Sequence, residues 1–121
     1  MALSYDQVRQ MALALPNVSE GRSYGGPSLH VGRKFLGRLR EDGETFALRV
    51  DLNERHELLE KLPDAFFLTD HYRAYPFVLV NLLAVEPATL RRLIEQAWRM
   101  LASKREISKY DGLSGTRTPP S

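Results

Sequence analysis

Residues 77–82, FVLVNL, form the stretch that most limits how this chain can fold. The run is apolar at successive positions, so both faces of an extended strand are covered. It therefore reads as a central strand of a sheet. The polar residues just before it, DHYRAY at 70–75, supply an acid, a base, two phenols and a guanidinium, enough for a small site at the rim of that sheet.

The strands that can pair with it come earlier in the chain. Residues 28–31 are short, with Leu29 and Val31 on one face and His30 on the other, and Gly32 suits a tight turn. Residues 34–40 alternate, which predicts Phe35 and Leu39 on one face and Lys34, Arg38 and Arg40 on the other. Glu41-Asp42-Gly43 makes a hairpin turn, with Gly43 suited to positive φ. Residues 44–50 alternate again and send Phe46, Leu48 and Val50 inward. Phe66, Phe67 and Leu68 allow one more short strand.

Helices fill the rest. Ser4 and Gln7 have capping-box spacing before a 3.6-period stripe of Tyr5, Val8, Met11, Ala12 and Leu15, and Pro16 ends that helix. A second helix is expected over residues 53–62, capped by Asp51 or Asn53, with Leu58, Leu59 and Leu62 as its apolar stripe. The last begins near Pro87 and carries Leu90, Leu93, Ile94, Ala97, Trp98 and Leu101 at helical spacing, fraying near Ile107. Residues 17–27 are rich in glycine and read as a loop. They are not a phosphate-binding fingerprint, because no Lys-Ser/Thr pair follows and a strand follows instead of a helix. The order is α-β-β-β-α-(β)-β-α. The fold class is α+β, an antiparallel sheet with helices packed on one face. A single domain over residues 1–112 is expected, followed by a polar, disordered tail at 113–121.

The chemistry is narrowed by what is missing. The chain has no cysteine among its 121 residues, which removes disulfides, thiolate metal sites and cysteine nucleophiles. His30, His56 and His71 lack the close spacing of a helical metal motif, so neither a metal nor another cofactor is expected. No serine sits on a nucleophile elbow. In an extended segment, alternation puts Asp70 and His71 on opposite sides, which argues against an Asp–His dyad and against an enzyme. The N-terminus lacks a basic segment followed by an apolar one, and no apolar run can span a bilayer, so a cytoplasmic protein is expected.

Charge is more informative. Six cations (Arg22, Arg33, Lys34, Arg38, Arg40 and Arg49) oppose three acids (Glu41, Asp42 and Glu44) between residues 22 and 49. On the expected alternation, Lys34, Arg38, Arg40 and Arg49 line the sheet face away from the helices, joined by His30. Such a face can lie along phosphates. The segment SKREISK at 103–109 is also basic, as a helix C-terminus favours.

The landmarks LPNVSEG, GGPSLHVGRKF, LRVDLNERHELLEKLPDAF, HYRAYPFVLVNL and ASKR, in that order over residues 4–110, resemble the MmcQ/YjbR family. The resemblance implies a double-wing fold, similar to the DNA-binding domain of a viral transcription activator. It also implies DNA binding, the label family members commonly carry, and it brings no catalytic residue. Tyr24 stands where members often have Trp, and Pro76-Phe77 where they often have Gly-Trp, so an aromatic is kept at both places. The matching landmarks are Tyr24, Pro27, Lys34, Phe35, Tyr72, Arg73 and Phe77. The resulting expectation is a non-enzymatic, regulatory protein binding double-stranded DNA. Arg33, Lys34, Arg38, Arg40 and Arg49 would contact phosphates, with His30 on the same face, and Tyr72 and Arg73 would contact bases or sugars at the rim. A protein-interaction surface around Tyr24, Tyr72 and Tyr75, and a small-molecule or enzymatic site at Asp70–Arg73, are the alternatives.

Overall fold

A computed structural model describes residues 2–23 and 25–114, without the side chains of residues 113 and 114. Tyr24 and residues 115–121 lie outside the described residues, and with them most of the expected tail. The elements are α1 (Tyr5–Leu13), β1 (Val18–Ser23), β2 (Gly26–Val31), β3 (Lys34–Leu39), β4 (Thr45–Arg49), α2 (Leu52–Lys61), β5 (Phe66–Phe67), α3 (Asp70–Arg73), β6 (Phe77–Asn81), α4 (Pro87–Leu101) and α5 (Lys104–Ser114). The strands form one antiparallel sheet in the order β1-β2-β3-β4-β6-β5.

Local rules set most boundaries. Ser4 and Gln7 complete the expected capping box on α1. Asp51, not Asn53, caps α2, its carboxylate accepting from the amides of Asn53 and Glu54. Leu58 of that helix is buried, whereas Leu62 stands 43% exposed beyond its end. Gly32 and Gly43 take φ of 61° and 72° in the two hairpin turns that need them.

The main core lies between α1, α4 and one sheet face. Val8, Ala12, Leu90, Leu93, Ile94, Ala97 and Trp98 meet Leu29, Val31, Leu36, Phe46, Leu48, Val78 and Val80. Trp98 is fully buried, and its indole N–H donates to the carbonyl of Pro16 at 2.8 Å. Among the described residues, no helix is long and apolar enough to cross a membrane.

Four sequence expectations change. Residues 18–23 are not loop but the edge strand β1, all of whose residues pair with β2. Its side chains are exposed or half-buried, so it lacks an apolar pattern and is held by backbone pairing. Residues 70–73 are a helical turn rather than an extended segment. The final helix does not run on toward Ile107: Ala102 breaks it with extended backbone, and α5 starts anew. Ser103 and Glu106 box the new N-terminus, with Glu106 Oε1 accepting from Ser103 N at 2.9 Å and Ser103 Oγ from Glu106 N at 3.1 Å.

The fourth change concerns β3. A bulge opposite Leu29 and His30 lets Gly37 pair with Leu29 while Phe35 pairs with His30. Leu36 is the extra residue and joins the main core. The bulge reverses the facing of everything before it in the strand. Phe35 therefore leaves the helix side, where alternation had put it, and Lys34 takes that side.

Candidate functional site

The sheet face away from α1 and α4 is built on one row of paired residues: Gly21, Ser28, Arg38, Ala47, Leu79 and Phe67 on β1, β2, β3, β4, β6 and β5. Small side chains at Gly21, Ser28 and Ala47 leave room for the Arg38 side chain to lie on the sheet. Arg38 is only 8% exposed. It donates to Tyr72 Oη at 3.3 Å and to the carbonyl of Leu39 at 3.4 Å.

Tyr72 comes from α3, which folds back over this face. Its ring packs on Ala47 and Leu79 in a second small core with Phe67, Leu68 and Phe77. The apolarity of β6 on both faces is thus explained: Val78 and Val80 meet the long helices, and Leu79 meets Tyr72. Arg55 of α2 fastens the segment by donating to the carbonyls of Tyr75 (2.7 Å), Phe77 (3.2 Å) and Arg73 (3.2 Å). Three carbonyls on one guanidinium hold the chain from α3 into β6 without a regular element. Only tertiary structure identifies Arg55, which on the sequence is one more polar residue of a helix.

Between α3 and the sheet lies a cleft of about 250 Å³, lined by Phe35, Arg38, His71, Tyr72, Tyr75 and Phe77. Its rings are set edge to face or tilted. Phe35 and Phe77 have centroids 5.6 Å apart, Tyr72 and Phe77 6.3 Å, His71 and Tyr72 5.0 Å, and His71 and Tyr75 5.9 Å. Two arginines bear on these rings: Arg49 lies 5.1 Å from the centroid of Phe77 and Arg40 lies 5.6 Å from that of Tyr72. Arg49 also donates to the carbonyl of Phe35 at 2.9 Å, and burial lowers its guanidinium pKa from the ordinary value. Arg40 Nε is shielded from solvent with no hydrogen-bond acceptor, its nearest carboxylate being Glu41 at 3.9 Å.

The structure thus gathers His30, Arg38, Arg40, Arg49 and Tyr72 on one face, with Arg73 on the exposed side of α3. Arg33 is exposed in the β2–β3 turn. Lys34 is separated from them. It lies on the helix side, donating to the Leu101 carbonyl at 3.1 Å. Arg38 and Tyr72 are largely buried against one another and keep only the small exposed surface that lines the cleft. Arg73 is exposed and sits 3.7 Å from Asp70 within the same turn. Asp70 makes no hydrogen bond to His71 among the described residues, so the dyad is absent, although a helical turn rather than alternation separates them. His30 Nε2 lies 2.9 Å from Ser28 Oγ, but that serine is fully buried. The pair fastens β2 internally and exposes no nucleophile. Tyr24 lies outside the described residues, and Tyr75 is 52% exposed.

Comparisons with known proteins agree with this architecture. The chain is 28% identical to the uncharacterized protein Rv2570 of Mycobacterium tuberculosis, over 93% of this chain and 98% of that one. The uncharacterized protein Mb2600 of Mycobacterium bovis matches to the same extent. The fold of this chain is similar to that of the Deinococcus radiodurans protein DR2400, a DUF419 domain, at TM-score 0.72 and 19% identity over 89% of this chain and 88% of that one. The family model described as YjbR matches residues 13–100, and the chain belongs to the YjbR family.

Proposed function

We propose that this chain is a non-enzymatic, cytoplasmic DNA-binding protein whose contact surface is the α3-bearing face of the sheet. The observation that supports this best is the crowding of cations against rings on that face: Arg40 over Tyr72, Arg49 over Phe77, and Arg38 hydrogen-bonded to the Tyr72 hydroxyl. Phosphates call for the cations, and bases call for the rings. The resemblance to a family commonly labelled DNA-binding points the same way.

The phosphate contacts come from Arg33, Arg40, Arg49 and Arg73, since Arg38 is buried and Lys34 faces the helices. Four such contacts give log K a slope of roughly −3 to −4 against log salt. The test is a titration with labelled DNA, single- and double-stranded, between about 50 and about 200 mM salt. Arg33→Ala/Arg73→Ala should weaken binding and flatten the slope by about two. An affinity indifferent to salt, or an unaffected double variant, counts against the reading.

A further inference from the structure

The cleft beside α3 has a shape and chemistry that select one form of nucleic acid. Its 250 Å³ falls below the range of about 300–1,000 Å³ of ordinary small-molecule sites. It has room for one flat ring system, not for a whole cofactor. Aromatic surface from Phe35, Tyr72, Tyr75 and Phe77 surrounds that space, and the Arg38 guanidinium underlies it. Rings and a guanidinium accept any base by its π face.

The cations are not concentrated at one point of the cleft. Arg33 and Arg40 bracket β3, seven residues apart in the sequence, which is roughly 23 Å of extended strand. Arg49 and Arg73 stand on β4 and α3. A ligand that puts one flat ring in the cleft and also reaches these charges carries several anions in series. A mononucleotide has its charge in one place. A duplex keeps its base faces stacked and has none to offer without unpairing.

We propose that the cleft receives one unstacked base of a single nucleic-acid strand, with Arg33, Arg40, Arg49 and Arg73 meeting the phosphates on either side. This assignment rests on the nucleic-acid reading above and narrows it. Tyr75 is the wall residue that can be removed without opening the core, because it is half exposed.

The experiment measures binding of the full chain, at low salt, to a labelled strand of about twelve nucleotides. The same backbone made abasic, the same sequence as a duplex, and AMP as competitor complete the set. The intact strand should bind about tenfold tighter than the abasic strand or the duplex, and AMP should compete only weakly. Tyr75→Ala should lose about tenfold on the intact strand and nothing on the abasic one, while Tyr75→Phe, which keeps the ring, should bind as the parent does. Equal binding of intact and abasic strands, or a preference for the duplex, overturns the base assignment while leaving the nucleic-acid reading standing. AMP binding as tightly as the strand replaces it with a nucleotide site. If no oligonucleotide binds at low salt, both fail.

Discussion

The Lys34 ammonium lies 3.1 Å from the carbonyl oxygen of Leu101, the last residue of α4. A cation expected on the phosphate-facing side of the sheet instead closes a helix C-terminus on the opposite side. The cause is the bulge at Leu36, one residue wide.

Lys34→Ala should therefore affect stability and leave DNA affinity as it is. The ammonium satisfies a terminal carbonyl and complements the negative end of the helix dipole. At an exposed site this contributes about 0.5 kcal/mol. A shift of that size in the denaturation midpoint, with an unchanged binding isotherm, is the expected outcome. A weakened isotherm at unchanged stability would return Lys34 to the contact surface.

Tyr72→Phe should destabilise the chain by about 1–2 kcal/mol, because it strips a hydrogen-bond acceptor from a buried guanidinium. Tyr72→Ala also empties the volume over Ala47 and Leu79 and should cost about 3 kcal/mol or more. Chemical denaturation distinguishes the two. A neutral Tyr72→Phe would mean that the hydroxyl contributes nothing, and equal losses would mean that the ring adds nothing beyond it.

Gly37 is needed for space rather than for its backbone angles. A methyl group added there would meet the Ala47 carbonyl oxygen at 2.6 Å and the Phe46 ring at 2.7 Å. One neighbour is backbone and the other is a fully buried ring, so neither can easily withdraw. Gly37→Ala should cost about 1–3 kcal/mol by overpacking. Thermal unfolding reads this directly, and a neutral result would show that β3 and β4 can separate locally.

Asp42 ties the β3–β4 turn by accepting from Glu44 N (2.9 Å), Thr45 N (2.9 Å) and Thr45 Oγ1 (2.7 Å). Burial pushes its carboxyl pKa up, but these hydrogen bonds and the charge of Arg40 outweigh that and hold it below the ordinary value. A carboxylate whose folded pKa is depressed stabilises the fold above its unfolded pKa, near about 4. That contribution is lost as pH falls through the folded pKa. Stability should fall from about pH 4 downward, and Asp42→Asn should flatten this part of the profile. A wild-type slope retained in the variant would place the titration elsewhere.

Most of the fold was legible in the chain because its signals are local. A capping box needs four residues, as at Ser4 and Gln7. The stripe on α4 needs fifteen, and all its inward positions from Leu90 to Trp98 are buried. The alternation of β4 put Phe46 and Leu48 in the core as expected. The candidate face was legible only in part. His30, Arg38, Arg40 and Arg49 do share a side of the sheet. The aromatic cleft is not visible in the sequence, because period-two alternation places Phe35 on the helix side and residues 70–75 read as an extended segment.

The sequence by itself determined the helices α1, α2 and α4, four strands, the hairpin turns and the two-sided apolarity of β6, since each depends on neighbours within a turn or two. Tertiary structure alone decided three things. A polar segment became β1 because β2 offered a free edge. A bulge in β3 exchanged the sides of Lys34 and Phe35, and period-two alternation cannot register one inserted residue. The turn α3 came to lie over Arg38 because Tyr72 found a bed of Ala47 and Leu79, strands apart in sequence and adjacent only once the sheet has formed.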